Sequence, residues 1–126
     1  MAPPVEKFVS RVRGMGIGDG HRVVVYDGSG LFSAARVWWL FRLFGKSDVA
    51  VLDGGIGAWV AAGGEITTSS PQVAAGPPYP TREPAMPTID AAALLSTLGQ
   101  VCVLDARAGE RFRGEVEPLD PVAGHI

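Results

Sequence analysis

Residues 49–63 run Val49-Ala50-Val51-Leu52-Asp53-Gly54-Gly55-Ile56-Gly57-Ala58-Trp59-Val60-Ala61-Ala62-Gly63, and this stretch decides the fold class. Four apolar residues in a row at 49–52 suit a short buried strand rather than one whose faces alternate. Asp53, Gly54 and Gly55 then turn the chain, and residues 56–62 predict a short helix that stops at Gly63. The same grammar stands upstream. Residues 22–26 (RVVVY) are a β-branched run suited to a strand buried on both faces. Asp27-Gly28-Ser29-Gly30 is a turn, and residues 31–44 predict a helix ending at Gly45. Strand, helix, strand, helix in this order is a βαβα unit of a parallel sheet, so the fold class is α/β. A further helix is predicted at 5–12, where Val5, Phe8, Val9 and Val12 share one face. Trp38, Trp39, Phe41, Phe44 and Trp59 are the predicted aromatic core.

The chain has 126 residues, with 17 Gly and 10 Pro, an excess over ordinary globular usage. Part of that excess falls between Gly63 and Pro87, where proline bars helix and favours extended backbone. Residues 65–87 are therefore expected to be a connector running over a surface. Charge changes across it: residues 1–64 hold seven basic and five acidic side chains, residues 65–126 four and eight. Beyond the connector a helix is predicted at 90–97, with Thr88 or Asp90 as its N-cap, and a strand at 101–104.

A net charge of −2 excludes a nucleic-acid binder driven by electrostatics. The most apolar stretch, residues 37–44, is broken by Arg42 and is far too short to span a bilayer, so no membrane partner is expected. The first 20 residues contain no apolar signal core, and a cytoplasmic location is the expectation. One cysteine, Cys102, forbids an internal disulfide and leaves no cluster for structural zinc. No cofactor or metal is expected.

The turn at Asp27–Gly30 is the sharpest local feature. Glycines between a strand and a helix let backbone N–H groups converge on a hollow suited to an anion. A dinucleotide fingerprint would need a third glycine where Ser33 stands, although Asp53 falls near the position of a ribose-binding acid. A phosphoryl-aspartate enzyme would use Asp27 as nucleophile, but Ser29 occupies the place of its second acid. The glycines also suit a turn with no ligand.

A resemblance narrows these readings. Val51-Leu52-Asp53-Gly54-Gly55-Ile56, with Trp59 and Gly63 following, resembles the closing motif of a rhodanese domain. Val24-Val25-Tyr26-Asp27-Gly28-Ser29-Gly30 and Ala34-Ala35-Arg36-Val37-Trp38-Trp39-Leu40 are similar to the strand, loop and helix that precede it. Val103-Leu104-Asp105-Ala106-Arg107, Glu110-Arg111-Phe112-Arg113-Gly114 and Gly124-His125-Ile126 resemble the opening of a second rhodanese domain. The resemblance is to tandem-domain sulfurtransferases acting on 3-mercaptopyruvate or thiosulfate. It implies a rhodanese-like parallel sheet flanked by helices, present as two incomplete pieces. Residues 1–64 would be the C-terminal half of a non-catalytic first domain, and 88–126 the start of a catalytic second domain without its cysteine loop. It further implies a small anionic sulfur donor, a thiol or cyanide acceptor, and a cysteine persulfide between them.

The same resemblance places Asp27 where a catalytic domain carries its nucleophilic cysteine, so the 126 residues alone are expected to be inactive. It makes Arg107 and Arg111 the substrate-binding residues, since a guanidinium offers a planar fork to a carboxylate or sulfonate. The competing role for Arg107 is an ion pair with Asp105 or Glu110. Arg113 reads as a surface charge, His21 as solvated and His125 as a turn residue. Cys102, within the apolar run VCVL, reads as a buried packing residue. The alternative function is a non-catalytic rhodanese-like module binding an anion or a partner through the Asp27–Gly30 loop.

Overall fold

The computed structural model describes residues 2–70 and 76–125. The chain forms two compact units, residues 1–87 and 88–126. In the first unit the order is α1 (Val5–Gly14), β1 (Val23–Val25), α2 (Ala34–Leu43), β2 (Val49–Val51) and α3 (Gly55–Ala61). The two strands pair in parallel, with Val23 opposite Val49, Val24 opposite Ala50 and Val25 opposite Val51. A parallel pair needs a crossover, and α2 supplies it. This is the α/β arrangement predicted from the strand and helix patterning.

The core lies between α1, α2 and β2. Phe8, Val9 and Val12 project from one face of α1 and meet Phe41, Leu43, Phe44 and Val49. Phe8 packs edge-on to Phe41 at a ring separation of 5.2 Å and lies 4.7 Å from Phe44. Such contacts add to the burial energy of the rings.

Several expectations need correction. Only one face of the short sheet is covered, so Val24 is exposed rather than buried on both sides. The crossover helix starts at Ala34, not at residue 31, because the preceding amides are drawn into the Asp27 loop. Phe41 and Phe44 are core residues and Trp39 packs half-buried against them, whereas Trp38 is exposed, its Nε1–H donating to the Val49 carbonyl at 3.2 Å. Trp59 is not a core plug. The residue is 45% exposed, and its Nε1–H donates to the Glu65 carbonyl at 2.9 Å. The indole lies against the backbone of Gly64 and leaves no room there for a side chain.

The proline-rich segment forms no helix or strand of its own among its described residues, yet its 76–87 part packs onto the first unit. Tyr79 is fully buried, edge-on to Phe8 and Phe41, and its hydroxyl donates to the Phe44 carbonyl at 3.2 Å. Arg13 Nε donates to the Tyr79 carbonyl at 2.8 Å. Arg82 grips both oxygens of Asp19 at 2.8 and 2.9 Å, and buried Lys46 donates to the Asp19 carbonyl at 2.7 Å. A large ring and a charged fork give this stretch enough contacts to offset the entropy of ordering it.

The second unit carries α4 (Ala91–Ser96) and α5 (Gly109–Phe112). Asp90 caps α4, its Oδ1 accepting from the Ala93 N–H at 2.8 Å, as predicted for one of the two candidate caps. The strand expected at 101–104 is absent: only a single bridge joins Leu98 to Val101. A strand needs a neighbour to pair with, and among the described residues of this unit none lies alongside, so Leu104 is 88% exposed. For the same reason Cys102 is exposed rather than buried.

Candidate functional site

Two places hold the residues singled out by the sequence. The first is the loop between β1 and α2. The Asp27 carboxylate turns back into it. Its Oδ1 accepts the N–H groups of Ser29 and Leu31 at 3.0 and 2.9 Å. Its Oδ2 accepts those of Ser33 and Ala34 at 2.8 and 2.9 Å, and the Ser33 hydroxyl at 3.2 Å. Gly30 and Leu31 both adopt positive φ, 72° and 70°, which swings these amides toward one point. The Ala34 N–H first, then that of Ser33, holds the carboxyl well below the usual carboxylate range.

This geometry corrects the anion-module alternative. The hollow predicted for an external anion exists, but the chain's own carboxylate fills it. Nor is Asp27 placed to act as a nucleophile, since both oxygens are saturated with donors. The Gly54–Gly55 turn lies against the same loop: a Cβ on Gly55, whose φ is 61°, would come within 3.0 Å of the Asp27 carbonyl oxygen. The motif that decides the fold and the loop it supports are thus in direct contact.

The second place is in the 88–126 unit, where Arg107 and Arg111 converge on Glu117. Arg111 donates through Nη2 to Glu117 Oε1 at 2.6 Å and through Nε to Oε2 at 3.2 Å. Its Nη2 also reaches Asp120 at 3.0 Å. Arg107 Nη1 lies 3.6 Å from Glu117 Oε2, while its Nε and Nη2 clasp Asp105, Nη2 at 2.6 Å. A further bond from Nη2 to the Gly124 carbonyl spans 2.8 Å. The Glu117 side chain is 6% exposed, and the Arg111 guanidinium holds its carboxyl down to about 2. Arg107 does the same for Asp105, to about 2.

Arg107 therefore makes the Asp105 pair named as its competing role, and Glu117, not Glu110, is the second partner. Both guanidiniums are thus engaged by carboxylates of their own unit. Asp120, which pairs with Arg111 alone, is the most exposed of these partners at 61%. Glu117 and Asp120 escaped the sequence reading. The alternation of arginines with acids over 105–120 was the available signal.

Arg113 pairs with Glu115 on the surface at 2.6 Å. His125 stacks on Phe112 at 3.9 Å, with Nδ1 2.6 Å from the Phe112 carbonyl; a carbonyl only accepts, so Nδ1 carries the proton. His21 Nδ1 accepts the Gly18 N–H at 2.8 Å. Among the described residues, no group of three or more His, Cys, Asp or Glu could hold a metal ion. No helix among them is long and apolar enough to cross a membrane.

Residues 3–62 match the rhodanese-like domain. The chain is 46% identical over 128 residues to the "Probable 3-mercaptopyruvate sulfurtransferase" of Pseudomonas aeruginosa, covering 98% of this chain and 44% of that protein. It is 37% identical over 131 residues to the human 3-mercaptopyruvate sulfurtransferase, again covering 44% of the relative. Among solved structures it matches SseA from Escherichia coli, described as a 3-mercaptopyruvate sulfotransferase of rhodanese fold. That match has a TM-score of 0.74 and 29% identity, over 98% of this chain and 47% of the other.

The strand–loop–helix–strand unit is thus a rhodanese-like α/β fold, present as a partial domain. Residues 3–62 are similar to a rhodanese-like domain, and nearly the whole chain is similar to 3-mercaptopyruvate and thiosulfate sulfurtransferases. It spans somewhat less than half the length of these relatives.

Proposed function

We propose that this chain is part of a sulfurtransferase that moves sulfane sulfur from 3-mercaptopyruvate or thiosulfate to a thiol or cyanide. The observation that carries this reading is the 46% identity across nearly the whole chain to the Pseudomonas relative. In the proposed reaction a cysteine thiolate attacks the donor's sulfur. The donor's C–S or S–S bond breaks, pyruvate enolate or sulfite leaves, and the enolate takes a proton. The acceptor then attacks the outer sulfur of the persulfide and releases the thiolate.

In this reading residues 1–64 are the later half of a non-catalytic domain, 65–87 connect it, and 88–126 open the catalytic domain. Asp27 stands at the position of a nucleophile and supplies a fixed negative charge in its place. Cys102 is the chain's one thiol, and the described residues give it no activating donors, so the 126 residues alone do not turn over. Arg107 and Arg111, steadied by Glu117, hold the anionic end of the donor.

A chimera tests this. Replacing the matched segment of the Pseudomonas protein with these 126 residues is expected to give thiocyanate from 3-mercaptopyruvate and cyanide. The isolated chain gives none above a heat-killed control. A folded chimera with no transfer, or a chain active by itself, overturns the reading.

A further inference from the structure

The first unit contains a cleft that the sulfur-transfer reading does not use. It lies between α1 and α2, has a volume of about 350 Å³, and is lined by Ala2, Pro3, Lys7, Phe8, Arg11, Arg36 and Leu40. Among the described residues its walls carry three cations and no carboxylate, in a chain whose net charge is −2. Lys7 and Arg11 are four residues apart on α1, so they point the same way, as do Arg36 and Leu40 on α2. Like charges at that spacing repel and disfavour the helix. Among the described residues, no carboxylate lies within 4.0 Å of Lys7 or Arg11 to relieve it. Arg36 closes the cleft from the other helix, its guanidinium lying 5.9 Å from the Trp39 ring centre. The lining between the cations is apolar.

We propose that this cleft binds a small organic anion with a doubly charged head on a compact apolar body, of the phosphate-monoester class. A dianionic head matches the charge of the Lys7 ammonium and the Arg11 guanidinium together, and its three oxygens leave one to face Arg36, which a singly charged carboxylate cannot do. Phe8, Leu40, Ala2 and Pro3 cover the body. The volume, near the lower end of small-molecule sites, admits a head with a single ring and excludes a polymer.

Phenyl phosphate titrated into the full chain, followed by backbone amide shifts, tests this. Saturable shifts are expected at Lys7, Phe8, Arg11, Arg36 and Leu40. Inorganic phosphate, lacking the apolar body, should bind about tenfold more weakly. Arg11→Glu should weaken phenyl phosphate binding by about tenfold or more, and Arg11→Gln, which removes the charge and keeps most of the stem, by several-fold. Arg113→Glu makes the same charge change on the other unit and should leave binding intact. Non-saturating shifts, equal losses in Arg11→Glu and Arg113→Glu, or equal affinity for inorganic phosphate would each overturn the proposal. No arm depends on sulfur transfer, so its outcome is separate from that reading.

Discussion

The N–H of Ala34 donates to Oδ2 of Asp27, seven residues earlier, at 2.9 Å, closing the β1–α2 loop around a carboxylate. The bond does two jobs. It satisfies the first amide of α2, whose own N-cap Ser33 makes no side-chain cap, and it supplies negative charge at the helix N-terminus. Three more amides share the carboxylate. Asp27→Asn keeps the shape but turns an NH₂ toward those donors, so the variant should melt lower and exchange the amides of residues 29–34 faster. The folded carboxyl lies below its ordinary pKa of 3.8, so its stabilisation is fully present above 3.8 and is lost as pH falls through the folded value. The Ser29, Leu31, Ser33 and Ala34 amide shifts should therefore hold steady from neutral pH down to pH 3.8. A titration centred at 3.8 would show that the carboxyl is free.

Tyr79 is the buried aromatic contact between residues 76–87 and the α1–α2 core. Tyr79→Phe removes only the 3.2 Å bond to the Phe44 carbonyl and should cost about 0.5–1.5 kcal/mol. Tyr79→Ala leaves a cavity beside Phe8 and Phe41 and should cost about 3–5 kcal/mol. Chemical denaturation followed by Trp38 and Trp39 fluorescence separates the two. Equal, small losses would mean that the segment is not anchored by this ring.

What the sequence made legible was local. The βαβα order followed from two apolar runs and a glycine-stopped helix between them, and all three elements are present at 23–25, 34–43 and 49–51. The Asp90 cap was legible for the same reason, since it needs only residues within one turn. Burial was not. Trp59 and residues 101–104 have apolar patterning that suits a core, but burial depends on what lies alongside, and no strand pairs along 101–104. At the candidate site, the sequence singled out the loop and both arginines. It missed that Asp27 fills its own hollow and that Glu117 joins the arginines, because both depend on how a side chain folds back across several residues.

Cys102 gives a direct check on the corrected burial. As an exposed thiol it should react with a disulfide reagent in the folded chain, at a rate close to that in denaturant. One equivalent released without denaturant is the expected stoichiometry, since the chain has a single cysteine. Protection that vanishes only on unfolding would mean that 101–104 is covered after all.

Glu117 links the two arginines, so its charge should be visible in a pH titration. Its carboxyl is lowered from 4.5 to about 2, chiefly by the Arg111 hydrogen bond. Stability from that shift is complete above about 4.5 and disappears as pH falls toward about 2. Carboxyl carbon shifts should place the Glu117 titration near 2, below that of an ordinary glutamate. In Arg111→Ala that titration should move up toward 4.5, because the largest cause of the shift is gone. A Glu117 that titrates near 4.5 in the unmodified chain would mean the pair is not formed in solution.

The substrate role proposed for the arginines can be separated from a structural one in the Pseudomonas chimera. A guanidinium that grips the donor's carboxylate in both ground and transition states lowers KM without changing kcat. Arg111→Ala should therefore raise KM for 3-mercaptopyruvate about tenfold, with kcat nearly unchanged, as loss of one charge-assisted contact implies. Arg111→Lys keeps the charge but loses the fork held on both Glu117 oxygens, so its KM should fall between the two. Asp120→Asn removes the exposed carboxylate that shares Arg111 and should lower KM for an anionic donor. If Arg111 only braced the fold, Asp120→Asn would not improve KM, and Arg111→Ala would reduce the amount of folded enzyme rather than its affinity.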